Sequence, residues 1–169
     1  VCATAGPTLE TIMAAHGSGA VRQSREQGLT LLNIDVGGGT TKISLIEEGK
    51  ICATTAVNIG ARLVAHNSGD EIVRLEMGGR RFLADLGEHL DYGAKVSIDV
   101  RRRLANRMAR ALFEALTART QPWDDFYVAP ALGPLPKIDG ILFSGGVSEY
   151  IYSREAKAFG DLGPYLGGA

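Results

Sequence analysis

Along the 169 residues the apolar positions switch between a helical and a strand period. After Gly6, Pro7 opens a segment in which Leu9, Ile12 and Met13 recur at i, i+3 and i+4, which predicts one apolar helix face. His16-Gly17-Ser18-Gly19 ends it, Ala20 to Gln27 predicts another helical turn or two, and Gly28 stops the chain there. The period then shortens. Leu29 to Asp35, Thr41 to Glu47 and Ile51 to Asn58 predict three successive antiparallel strands, and Val1 to Ala5 reads as the tail of an earlier one. Glu71 to Met77 alternates, Gly78-Gly79 predicts a turn, and Arg80-Arg81-Phe82-Leu83 pairs back, which makes about 62–84 a polar β-hairpin insertion. Such a hairpin is either a solvated ornament or a surface for a partner.

Ser97 is placed to cap a long helix running to about Thr117. Val100, Leu104, Met108, Ala111, Leu112, Ala115 and Leu116 form its apolar stripe, while Arg101, Arg102, Arg103, Arg107 and Arg110 predict a solvated basic face. Gln121 to Asp125 breaks the pattern and the proline-rich 130–136 reads as a loop. A buried strand over 138–143 and a helix from about Ser148 follow, and Gly160 to Ala169 reads as a loop.

Composition narrows the possibilities. Hydrophobic residues at 45% and charged residues at 22% are ordinary for a globular domain with a substantial core. The net charge of −1 points neither to nucleic acid nor to a membrane surface, and no run reaches the roughly 18 apolar residues a span needs. No secretory signal peptide is recognisable. Cys2 and Cys52 stand far apart without a companion motif, so a disulfide framework is not expected and a reduced, cytoplasmic compartment is. His16, His66 and His89 have no zinc-ligand spacing and read as solvated or capping. The 22 glycines gather at candidate ligand turns and loops.

Two of those turns carry chemistry. Leu31 to Asp35 is an apolar run ending in a carboxylate, followed by Val36, Gly37-Gly38-Gly39, Thr40-Thr41 and a second apolar run. Glycines tolerate positive φ and carry no Cβ, so successive N–H groups can converge on an anion. Thr40 and Thr41 add hydroxyl donors, and Asp35 could hold a cation or an attacking water beside a phosphate. A plain glycine-rich hairpin with a surface Asp is the alternative. Asp139 to Phe143 is a further buried run, ending in Ser144-Gly145-Gly146, which alone is equally a strand-to-helix turn.

Together the two turns resemble the actin-like ATPase superfamily of actin, the heat-shock chaperone ATPases, hexokinase and sugar kinases. The resemblance implies an α/β, ribonuclease H-like domain: a mixed sheet opened by three antiparallel strands, with flanking helices. It also implies that Gly37, Gly38, Gly39, Thr40 and Thr41 grip the β- and γ-phosphates of ATP, with Asp35 beside Mg²⁺ in a catalytic role. Ser144, Gly145 and Gly146 would pass under the ribose and α-phosphate. Such proteins carry an earlier phosphate hairpin in a first domain, and this sequence, which starts without Met, has none. Residues 1–28 are then expected to be a helical lead-in and 29–169 the second domain of a larger two-domain protein, inactive when alone.

Ala5 to Ile12, Gly17 to Ala20, Asn33 to Lys42, Asn58 to Leu63 and Phe143 to Val147 narrow the resemblance. They are similar to the EutA family, the reactivating factors of ethanolamine ammonia-lyase, over nearly the whole chain. Lys42 departs from the pattern, where Asn is expected. The resemblance implies an ATP-driven chaperone and weak ATPase that binds the adenosylcobalamin enzyme and releases damaged cobalamin. No cobalamin-binding motif is needed in the factor itself. A small-molecule kinase of the same superfamily and a non-catalytic binding or assembly module are the alternatives.

Overall fold

The structure, a computed structural model, describes residues 6–117, 123 and 125–169. The expected strand tail at Val1 to Ala5 and most of the break around 121–125 lie outside the described residues. Three strands form in succession: β1 (Thr30–Val36), β2 (Thr41–Glu47) and β3 (Lys50–Val57). β2 pairs antiparallel with both β1 and β3, and β6 (Gly140–Ser144) joins β1 in parallel, giving a mixed sheet of order β3-β2-β1-β6. β1 is almost continuously buried, which explains why its sequence is an unbroken apolar run rather than an alternation.

Each face of the sheet has its own core. Leu32, Ile34, Val36, Ile43 and Leu45 pack with Leu104, Met108 and Leu112 of α4 (Ile98–Thr117). On the opposite face Ile46 packs with Ala15 of α1 (Pro7–Gly17) and with Ala20 and Val21 of α2 (Ala20–Gln27). The helix expected from Pro7 therefore forms, but it does not bury the Leu9, Ile12, Met13 stripe. Leu9 and Met13 are exposed, and the small residues Thr11 and Ala15 face the sheet. Thr11 keeps its hydroxyl satisfied by donating to the Pro7 carbonyl at 2.6 Å. Gly28, left-handed at φ 63°, ends α2. Buried Ser24 locks that end to the sheet, donating to Leu29 O at 2.7 Å and accepting from Gly49 N at 2.9 Å.

The insertion contains a hairpin, though not the expected one. β4 (Val64–His66) pairs with β5 (Ile72–Leu75), turning at 67–70, where Asn67 Oδ1 accepts from Gly69 N and Glu71 N. Gly78-Gly79 is no turn: Met77–Asp85 is helix α3, burying Phe82 and Leu83. A Cβ on Gly79 would sit 2.5 Å from the Leu63 carbonyl oxygen, so these glycines admit a passing backbone.

Ser97 caps α4 as expected, its hydroxyl accepting from Val100 N at 3.3 Å. The solvated basic face needs one correction. Arg101 is buried, donating to Asp70 Oδ1 at 2.5 Å and to His66 Nε2 at 2.8 Å, and its guanidinium lies over the Tyr165 ring. His66, expected to be solvated or capping, is thus the acceptor in a part-buried polar cluster.

The helix after Ser144 is short, α5 (Ser148–Ile151). The tail is not a loop throughout: it holds α6 (Gly163–Gly167), Leu162 is fully buried, and Leu162 N donates to Ala61 O at 2.9 Å. Gly160 O accepts from His66 N at 2.7 Å. Among the described residues no helix is long and apolar enough to cross a membrane.

Candidate functional site

The turn between β1 and β2 is held from behind by the segment that follows β3. Gly37 N donates to Thr40 O at 3.0 Å and closes the turn. Ala61 N then donates to Gly37 O at 3.0 Å, and Arg62 N to Gly38 O at 2.6 Å. With its carbonyls occupied inwards, the turn keeps the N–H groups of Gly38, Gly39 and Thr40, which meet no acceptor among the described residues. Such a run of unpaired donors has the chemistry to bind an anion, each N–H needing a ligand or water to accept from it.

The reason for glycine differs from the expectation. Positive φ occurs at seven glycines, and Gly37, Gly38 and Gly39 are not among them. Close approach is what matters. A Cβ on Gly60 would lie 2.6 Å from Gly39 N and closer still to the Gly38 carbonyl, so the clamp can seat only against bare backbone at 60. No heavy atom lies within 4 Å of a Cβ placed on Gly39, which faces open space.

Thr40 and Thr41 part company. Thr40 is half-buried, and its hydroxyl is bonded to nothing among the described residues. Thr41 is fully buried and donates from Oγ1 to Ile59 O at 2.8 Å. Its expected role as a phosphate donor is therefore corrected: as a β2 side chain on the inner face, it fastens the clamp instead.

Asp35 and Ser144 face each other in register on the parallel strands β1 and β6, and the Ser144 hydroxyl donates to Asp35 Oδ2 at 2.9 Å. Asn33 Nδ2 donates to the same hydroxyl at 3.3 Å, and buried Asn33 Oδ1 has no partner among the described residues. Lys42, opposite Asp35 on β2, ion-pairs with Glu10 of α1 at 3.2 Å. Among the described residues no three metal-ligating groups converge. Asp35 offers a single half-buried carboxylate with one oxygen committed to Ser144, which suits a magnesium ion that draws its other ligands from water and phosphates.

The two glycines after Ser144 have separate tasks. Gly145 is left-handed at φ 82°, and a Cβ there would lie 2.5 Å from the Val36 carbonyl oxygen, so it lets the end of β6 pass β1. The expectation that a Cβ at 145 would intrude on the ligand is corrected accordingly. Gly146 has nothing within 4 Å and lines an open cleft of about 580 Å³ together with Gly37, Gly38, Arg62, Tyr150 and Asp161. Burial, and then the Asp161 and Glu155 charges, push the Tyr150 phenol above its ordinary pKa. It stays protonated at neutral pH and donates to Lys157 O at 2.7 Å. The sequence marked Asn58 to Leu63 without a role. Its clamp could have been suspected from Gly60 alone, since a glycine after an apolar strand flags a close backbone approach.

The whole chain, residues 1–169, matches the family model described as ethanolamine utilisation protein EutA. It is 33% identical over 172 residues to the ethanolamine ammonia-lyase reactivase EutA of Salmonella typhimurium strain LT2, covering 98% of this chain and 36% of that protein. To the ethanolamine ammonia-lyase reactivase EutA of Escherichia coli strain K12 it is 35% identical over 173 residues, with the same shares covered. The chain thus spans about a third of the length of the curated relatives it matches. On the full-length family match, and on relatives at this level of identity, the chain belongs to the EutA family of ethanolamine utilisation proteins.

Proposed function

We propose that this chain is the nucleotide-gripping domain, actin-like in fold, of an ATP-dependent reactivating chaperone for adenosylcobalamin-dependent ethanolamine ammonia-lyase. The observation that carries the nucleotide half is the β1–β2 turn, whose carbonyls are tied to Ala61 and Arg62 while three successive N–H groups meet no acceptor among the described residues. The client is taken from the name of the relatives. The sheet supports the fold: three antiparallel strands followed by a parallel fourth, with helices on both faces.

In this reading the N–H groups of Gly38, Gly39 and Thr40, with the Thr40 hydroxyl, bind the β- and γ-phosphates. Asp35 would hold Mg²⁺ and orient the attacking water, with Ser144 fixing that carboxylate from β6. A magnesium ion there supplies charge neutralisation on the phosphates. Gly146 leaves room for the ribose. Closing the remainder of the longer protein over this surface changes the face offered to the lyase, so that damaged cobalamin is released and intact cofactor enters.

The test is lyase turnover. Full-length protein, with ATP, Mg²⁺ and fresh adenosylcobalamin, is expected to restore ethanolamine ammonia-lyase whose cobalamin is damaged, and ATP is expected to be required. Recovery without ATP would remove the nucleotide from the reading. ADP release that depends on a small-molecule acceptor would replace the chaperone by a kinase.

A further inference from the structure

Arg62 is the last residue of the clamp and the first whose side chain enters the cleft. Its backbone N–H holds Gly38 O, so its Cα is fixed beside the glycine turn. Its stem lies along Gly38: a Cβ at that glycine would be 3.4 Å from Arg62 Cδ and 3.5 Å from Cγ. The residue is exposed and lines the cleft together with Glu149, Glu155 and Asp161. Arg74, Arg80, Arg101, Arg103 and Arg107 each hold a carboxylate. The Arg62 guanidinium holds none within 4.0 Å among the described residues, although three carboxylates line the same cleft.

A cleft with three carboxylates repels a polyanion unless positive charge is concentrated where the phosphates lie. The N–H groups of Gly38, Gly39 and Thr40, without an acceptor among the described residues, give partial charges there. A guanidinium anchored on that turn adds a full charge and a planar fork that fits phosphate oxygens bidentately. We infer, on the nucleotide-binding reading proposed above, that Arg62 is a phosphate-binding side chain and sets the preference of the cleft for triphosphate over less charged nucleotides. The stem lies on Gly38 and the head is uncommitted, so the contact forms by rotation of the side chain without movement of the backbone.

The experiment uses full-length protein with Mg²⁺ and fluorescent N-methylanthraniloyl derivatives of ATP, ADP and adenosine. Arg62→Met keeps a stem over Gly38 and removes the charge, and Arg62→Lys restores a charge without the fork. Arg62→Met is expected to weaken ATP about tenfold or more and ADP less, while adenosine changes by less than about twofold. Arg62→Lys is expected to recover part of the ATP affinity. Equal loss for ATP and adenosine, or no loss for ATP, would overturn the role of Arg62 while leaving the nucleotide site standing. Wild-type protein that binds none of the three probes would overturn the nucleotide reading and this inference with it.

Discussion

The Ser144 hydroxyl meets the Asp35 carboxylate at 2.9 Å across 109 positions of sequence, joining the two glycine turns into one site. Ser144 both donates to Asp35 and accepts from Asn33, so the carboxylate is aimed by a part-buried chain of hydrogen bonds. Asp35→Ala is expected to change stability by about 1 kcal/mol or less, since it removes one hydrogen bond at a half-exposed strand end. ATP-driven lyase reactivation is expected to fall at least about tenfold with the loss of the carboxylate proposed to hold the metal. Denaturant unfolding read beside lyase turnover separates the two effects. A variant that reactivates as wild type would leave Asp35 without the assigned role.

Gly60 and Gly39 face each other across the clamp and should answer differently to one methyl group. Gly60→Ala pushes a Cβ into the backbone of Gly38 and Gly39, so a loss of about 1–3 kcal/mol is expected, with weaker nucleotide binding as the turn shifts. Gly39→Ala meets nothing within 4 Å and is expected to leave the unfolding midpoint in place, yet to weaken ATP binding where the phosphate approaches. Paired melting and binding curves decide it. Equal stability of the two variants would contradict the clamp.

The same logic separates Gly145 from Gly146. Gly145→Ala combines a left-handed backbone with a clash against Val36, and a loss of about 1–3 kcal/mol is expected. Gly146→Ala is expected to be thermally silent and to show itself in nucleotide affinity alone. Differential scanning calorimetry on both variants reads the contrast directly.

Arg101 provides a control away from the cleft chemistry. Its side chain is buried and holds His66 and the half-exposed Asp70, so Arg101→Met removes charge-assisted hydrogen bonds while keeping much of the stem. The expected loss is about 1.5–3 kcal/mol of stability. Nucleotide affinity is expected to be unchanged at temperatures where the variant is folded. Urea unfolding with parallel ATP titration measures both.

The strands and the long helix were legible because each is a sustained apolar pattern with its own turn or cap, as Ser97 before α4 illustrates. The misreadings share one physical origin: a residue type with two uses. Gly78-Gly79 looks like a turn, yet Gly79 admits the Leu63 backbone against a helix. Leu9, Ile12 and Met13 give the right period for α1, but close packing on the sheet selected the small residues Thr11 and Ala15. Thr40 and Thr41 are neighbours, and neighbours at a strand start point to opposite faces, so one hydroxyl is left open and the other is buried. Arg101 reads as surface until a fold places Asp70 and His66 beside it. None of these partners is near in sequence.

The stitches at His66–Gly160 and Ala61–Leu162 join the two sides of the cleft through chain segments roughly a hundred residues apart. On a ribosome, the β1–β2–β3 meander needs only local contacts and can form early. Parallel pairing by β6 and both stitches must wait for residues 140–162 to emerge. Between those two stages the nascent chain carries the glycine turn with no β6 beside it. A chain halted before residue 140 is therefore expected to present the β1–β2 turn without Ser144 beside Asp35.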